Sequence, residues 1–204
     1  RFQNFSYVES PDKTIDPSNF FSSYHLGLIS VAYSQRKFSV ERNIFQYELP
    51  EDIQSGKFAS LTAGAMKQYS VVYPYLGAAV GYGDFFKWGY FNYKAQIGSF
   101  IKEQKNYRTT IRLDGTYMTP LQDWKFAKVR HYFAPTAVFG NQRSPSYRDR
   151  INISGQNEFP VYDENYLGKD KLILRYQLQF FMNKSWKNFY LNPYFVTALG
   201  WLSQ

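Results

Sequence analysis

Cysteine thiolates, clustered imidazoles and paired carboxylates are the side chains from which catalytic and metal sites are usually built, and this chain offers few of them in useful company. Its 204 residues include no cysteine and only two histidines, His25 and His131. Cysteine nucleophiles, disulfide frameworks, thiolate metal sites and multi-histidine centres are therefore excluded for this chain. Ser30, Ser34, Ser99 and Ser154 have no histidine at a suggestive spacing, and none lies in a Gly-x-Ser-x-Gly elbow. His131, flanked by Arg130 and Tyr132 in a strand-like run, reads as an outward or interfacial residue. Asp163-Glu164 and Glu51-Asp52 are carboxylate pairs suited to acid–base work or calcium, but without EF-type spacing they read as solvated loop charge. Gly77, Gly81 and Gly83 lack the lysine and helix of a phosphate loop, and read as small residues at crowded points or bends of a sheet. The expectation is a protein that is not an enzyme and holds no metal or cofactor.

The net charge of +8 raises a second possibility, binding to an anionic polymer. Lys125-Phe126, Lys128 to Tyr132 and Arg143 to Arg148 interleave basic and aromatic residues, as backbone contact plus base stacking would require. The same residues alternate with apolar ones along strands too long for a small nucleic-acid-binding barrel. Lysines and arginines that line a lumen, or rims that meet lipid phosphates, account for them better, and no nucleic-acid partner is expected.

The elements that must position these residues are strands. Leu172, Leu174, Tyr176, Leu178 and Phe180 alternate with Arg175, Gln177 and Gln179. Thr109, Ile111, Leu113, Gly115 and Tyr117 alternate with Arg108, Arg112 and Asp114, and Phe91, Tyr93, Ala95 and Ile97 with Lys94 and Gln96. A period of two gives each strand one apolar and one polar face. Turn signals divide the chain into strands near 24–34, 37–49, 57–69, 73–83, 88–102, 106–119, 124–139, 170–182 and 188–201, with a possible one in 2–9. Most exceed the roughly 5–6 residues common in soluble domains and reach the roughly 9–11 needed to cross a bilayer. Aromatics make up 21% of the chain although its mean hydropathy is −0.48, and many stand at strand ends, where interfacial rings belong. The fold expected is all-β: an antiparallel transmembrane β-barrel occupying residues 1–204 as one domain or a portion of one. A long loop at 140–169 is expected to fold into the lumen. Lys94, Arg108, Arg112, Asp114, Arg130, Arg175 and Gln177 form the expected lumen-facing set. Arg1, with no Met or signal-like segment around it, reads as the start of a mature or trimmed chain.

The segment from Gly155 to Trp201 carries Gly155, Phe159 and Gly168, then Leu172, Leu174, Phe180 and Phe181, then Pro193, Gly200 and Trp201. In this it resembles the last part of the barrel in the BamA/TamA/FhaC superfamily of outer-membrane assembly and translocation proteins. Upstream, Ser34 to Phe38, Pro50 to Ile53 and Leu76 to Gly83 look like earlier hairpins of such barrels. The resemblance implies a barrel of sixteen strands, of which about nine or ten are visible here, in the outer membrane of a Gram-negative bacterium. Either the chain is a portion of a longer protein or it forms a smaller barrel of roughly eight to ten strands. The role implied is that of a barrel subunit in outer-membrane protein assembly, insertion or export. Its partners would be outer-membrane lipids and lipopolysaccharide, periplasmic or lipoprotein subunits, and client proteins. A docking barrel that translocates nothing is the alternative, and a passive pore the third reading. The lumen loop element corresponds to Gly155, Gln156, Asn157, Glu158 and Phe159, where the family's Gly-x-Arg-Gly-Phe/Tyr becomes Gly-Gln-Asn-Glu-Phe. Asn157 replaces the loop arginine, and the acidic positions on the next two strands become Gln177 and Ala198. An arginine–carboxylate interlock is thus lost as a set, which avoids stranding one buried charge.

Overall fold

Alternation of this kind folds by pairing each strand with its neighbour in sequence. The structure, a computed structural model, describes residues 1–7, 14, 21–68, 70–103, 105–142, 150–154, 166–187 and 189–203. There is no helix among the described residues. The short strands are β1 (Phe2–Phe5), β7 (Gln122–Asp123), β9 (Ile151–Asn152), β10 (Leu167–Gly168), β12 (Ser185–Trp186) and β13 (Phe189–Tyr190). The long ones are β2 (Tyr24–Arg42), β3 (Pro50–Gln68), β4 (Val71–Phe86), β5 (Gly89–Lys102), β6 (Lys105–Met118), β8 (Ala127–Asn141), β11 (Lys171–Met182) and β14 (Tyr194–Leu202). They form one antiparallel sheet in the order β1-β2-β3-β4-β5-β6-β8-β11-β14, with β7 beside β8. The pairs β9–β10 and β12–β13 are separate two-stranded pieces.

The register keeps the two faces apart across the whole sheet. Val31 pairs with Leu61, Leu61 with Ala78, Ala78 with Ile97, Ile97 with Ile111 and Ile111 with Phe139. Leu113 pairs with Ala137, Ala137 with Leu172 and Leu172 with Trp201. On the opposite face Lys94 pairs with Asp114 and Asp114 with Thr136. The apolar face is open: Ile29 is 78% exposed, Val31 75%, Leu61 70% and Leu199 69%. On β11 its residues 172 to 180 cover roughly 26 Å of strand at about 3.3 Å per residue.

Three details depart from the sequence reading. The break expected between 34 and 37 is absent: Gln35, Arg36 and Lys37 pair with Lys57, Gly56 and Ser55 within a hairpin of two 19-residue strands. The turn lies instead at 43–49, and Pro50 to Gly56, which had the composition of a turn, is strand. Polar residues here extend the ladder past the apolar band, so composition misplaces the turn. Gly56 permits the passage, with φ at +135° and a Cβ there lying 2.0 Å from the Gln35 carbonyl oxygen. Second, the stretch expected as one strand at 188–201 holds two, β13, which pairs back with β12, and β14, which starts after Pro193. Third, the sheet does not close into a barrel: beyond β1 the outer edge of β2, and the outer edge of β14, have no strand beside them among the described residues.

Gly56→Val places a branched side chain where neither the backbone angle nor the space admits one. The expected loss is about 2–3 kcal/mol, the cost of strained backbone at a non-glycine residue. Urea unfolding followed by far-ultraviolet circular dichroism measures it, and an unchanged midpoint would refute the close approach to Gln35.

Candidate functional site

The polar face is the candidate site, because period two collects most charged residues of β5, β6, β8 and β11 there. Asp114 lies at its centre. Its Oδ2 accepts from Arg112 Nε at 2.8 Å, and its Oδ1 accepts from Arg112 Nη2 at 2.9 Å and from Thr136 Oγ1 at 3.2 Å. A two-pronged arginine–carboxylate contact is the strong form of the pair, although with 38% and 29% of the side chains exposed it is screened and worth about 0–1 kcal/mol. Lys94 projects on the same face with its ammonium 5.6 Å from the Phe58 ring centre. Arg108, at the edge of this cluster, has φ at 52° and places its guanidinium 5.0 Å from the Tyr107 ring. Arg175 lies between Ala134 and Ala198 on the neighbouring strands, and Gln177 donates to Gln179 Oε1 at 3.2 Å. By register Lys94, Arg112, Asp114, Arg130, Arg175 and Gln177 stand on one face of the sheet, with Arg108 at the irregularity between β5 and β6. The loop element Gly155, Gln156, Asn157, Glu158 and Phe159 lies outside the described residues.

Arg130 differs from the other six, being only 5% exposed. The β2–β3 turn folds across the polar face and covers it. Arg130 Nη2 donates to the Arg42 carbonyl at 3.1 Å and stands 3.7 Å from a Glu41 carboxylate oxygen, while Nη1 reaches Met118 Sδ at 3.2 Å. Tyr132 donates its hydroxyl to the Ile44 carbonyl and stacks on Phe45 at 5.9 Å. Ile44, Tyr90 and Met118 form a buried cluster packed by Ile53, Phe85 and Tyr132. Further out, Tyr47 stacks on Tyr190 at 4.2 Å and Lys128 stands 3.7 Å from Glu48. Desolvation, with a smaller contribution from Glu48, holds the Tyr47 phenol above its ordinary pKa. The turn is preshaped for this position. Asn43 and Glu48 adopt left-handed backbone (φ 56° and 52°), Asn43 Oδ1 accepts from Glu48 N at 2.8 Å, and Glu51 Oε1 accepts from the amides of Phe45 and Gln46 at 2.9 Å. One end of the polar trough is thereby capped. At the other end the two described roots of the long loop form β9 and β10, and Lys171 Nζ donates to the Asn152 carbonyl at 2.9 Å.

The apolar face carries its own organised feature near the capped end. Rings follow one another across five strands: Phe86 on Trp88 at 4.8 Å, Trp88 near Tyr117 at 5.4 Å, Tyr117 on Phe133 at 6.0 Å and Phe133 against Tyr176 at 5.1 Å. Tyr117 also donates its hydroxyl to the Trp88 carbonyl at 2.7 Å, and His131 Nδ1 lies 2.8 Å from the Tyr176 hydroxyl. His131 is thus at the border of this aromatic row.

Sequence reasoning missed the cap, whose members Glu41, Asn43, Ile44 and Tyr47 were assigned to a strand. The readable signal was Asn43 itself, since asparagine tolerates left-handed backbone better than other non-glycine residues. Replacing Tyr132 by Phe removes one hydrogen bond worth about 1 kcal/mol and raises the open fraction of the cap about fivefold. Limited proteolysis within 43–48 reports that fraction, and a cleavage rate equal to wild type would show that Tyr132 does not hold the turn. No family model matches this chain, and no curated protein or solved structure does either.

Proposed function

We propose that this chain forms the wall of an outer-membrane β-barrel and acts as a barrel subunit in the assembly, insertion or export of outer-membrane proteins. The observation that carries the membrane part is the pairing of two opposite faces on one sheet. An exposed apolar band bordered by a row of stacked rings backs onto a face of ion-paired and hydrogen-bonded polar groups. Soluble monomers rarely leave apolar patches beyond a few hundred Å² open to water. In hydrocarbon the arrangement inverts from liability to requirement, because lipid covers the apolar face and water or protein the polar one. Strands span membranes only where no edge is left unpaired, so the outer edges of β2 and β14 are covered in the assembled barrel.

The capped trough favours a role exercised through protein contacts over the third reading, a passive pore. Glu41, Ile44 and Tyr47 occupy the space that an open channel would leave to water. A docking barrel for lipoprotein or other envelope partners is the second reading. It is favoured by one observation: where the resembling family places carboxylates to hold its loop, this chain has Gln177, bonded to Gln179, and Ala198.

The full chain reconstituted in vesicles tests both parts. Lipids brominated along their acyl chains should quench Trp201, on the apolar face, more strongly than Trp124, in the turn before β8; equal quenching would contradict the spanning orientation. An assembly subunit accelerates folding of unfolded client barrels added to these vesicles, whereas a docking barrel binds partners without acceleration. Steady ohmic conductance across planar bilayers would mark it as a pore instead.

A further inference from the structure

The polar face is not flat. Between the cap and the end from which the long loop leaves, small residues stand side by side on it: Gly77 pairs with Gly98, and Ala79 with Gln96. The result is a hollow of about 420 Å³, within the roughly 300–1,000 Å³ of a small-molecule cleft. Tyr75 and Phe100 wall it on the long-loop side, their ring centres 4.9 Å apart. The Tyr75 hydroxyl leans over the glycine pair, where a Cβ at Gly98 would stand 2.2 Å from it and one at Gly77 2.9 Å. Arg108 and Arg112 line the hollow, and among the described residues no carboxylate does. Arg112 is engaged in its two-pronged contact with Asp114, whereas Arg108 lies over Tyr107, which pairs with Phe100. Neutral groups complete the lining. Thr62 is bonded to Ser30, but the Ser60 and Tyr75 hydroxyls and the Gln96 amide make no hydrogen bond among the described residues.

We propose that this hollow binds a sugar acid, a pyranose bearing a carboxylate, either free or as the end unit of an acidic oligosaccharide. The neutral groups select the sugar. Serine and tyrosine hydroxyls and a glutamine amide each donate and accept, as sugar hydroxyls do. A phosphate or a simple carboxylate only accepts, and would leave the Gln96 carbonyl oxygen without a donor. Tyr75 and Phe100 offer apolar ring surface to the C–H face of the pyranose. The arginines select the acid: Arg108 supplies the planar fork that fits a carboxylate. Around the hollow Lys94, Arg108 and Arg112 outweigh Asp114, so the local field also favours an anion. The site requires only that the polar face meets water, and it therefore stands apart from the membrane reading.

Equilibrium dialysis of the full chain in detergent micelles, against labelled galacturonate, its neutral counterpart galactose and trigalacturonate, tests this. Wild type is expected to bind galacturonate saturably and galactose about tenfold or more weakly, the loss that goes with one hydrogen bond to a charged group. Arg108→Gln should lower galacturonate binding by the same factor and leave galactose binding nearly where it was, a split that simple misfolding would not give. Ala79→Leu fills the hollow and should abolish binding of both, while Lys125→Gln, in the turn before β8, should change neither. Far-ultraviolet circular dichroism checks that each variant is folded, and the comparison of galacturonate with galactose on wild type keeps the test decisive if a variant is not. Trigalacturonate binding as tightly as the monomer supports a site for a chain end, and its rejection supports a site for the free sugar acid. Equal affinity of wild type for galactose and galacturonate overturns the proposal, as does the absence of saturable binding by either uronate. Competition by inorganic phosphate as strong as that by unlabelled galacturonate, or an equal loss in Lys125→Gln, overturns it in favour of general attraction for anions.

Discussion

Register is the constraint on which everything else in this molecule depends. Lys94 faces Asp114 and Ala95 faces Leu113 only because β5 and β6 pair as they do. A slip of one residue would set Lys94 opposite Leu113 and carry charge onto the apolar face. In the membrane setting proposed above, that costs about 2–4 kcal/mol for a lysine or arginine at mid-depth. Because each long strand pairs with the next in sequence, a slip at one pair would propagate to every later strand. The meander therefore needs strong register signals, and the strictness of its alternation supplies them.

The cap follows from the same constraint at one remove. β2 and β3 are 19 residues each, longer than β5, β6 or β8, so their shared turn projects past the neighbouring strands. A projecting turn either stays in water or bends over one face. The polar face at that end offers Arg130, whose burial demands acceptors, and the turn supplies the Arg42 carbonyl and Glu41. Burying a guanidinium is costly unless its protons are used, so Arg130 and the turn are best understood as one unit.

How much of this was legible in the sequence depends on which residues set the structure. The strands expected at 88–102, 106–119 and 170–182 were readable to within a residue at each end, because apolar side chains alternate there, whereas the one expected at 124–139 begins at Ala127 and runs on to Asn141. The shared face of Lys94, Arg112, Asp114 and Gln177 followed from that period alone. The long β2–β3 hairpin was not readable. Beyond Tyr33 its alternation is carried by Gln35, Arg36 and Lys37, and ladder pairing there depends on the backbone and Gly56 rather than on hydropathy. The cap was hidden for a different reason: Arg130 meets Arg42 across 88 positions of sequence, and no local pattern encodes a contact of that range.

The open edges limit what can cover them. The outward row of β2 presents Ile29, Val31 and Tyr33, and that of β14 presents Thr197, Leu199 and Trp201. A strand laid beside either edge satisfies the backbone only by pairing in register, and it must then continue both faces. Its apolar residues have to extend these rows, and its polar residues have to join Ser30 and Ser34, or Ala198 and Gly200, on the other side. Ser30 is already bonded to Thr62 at 2.8 Å, so at that height the β2 edge makes no demand for a charged partner. At the β14 edge Ala198 and Gly200 are small, which leaves Arg175 on the adjacent strand accessible over them. An acidic residue on the covering strand at that height would meet Arg175 across β14, whereas a basic one would oppose it.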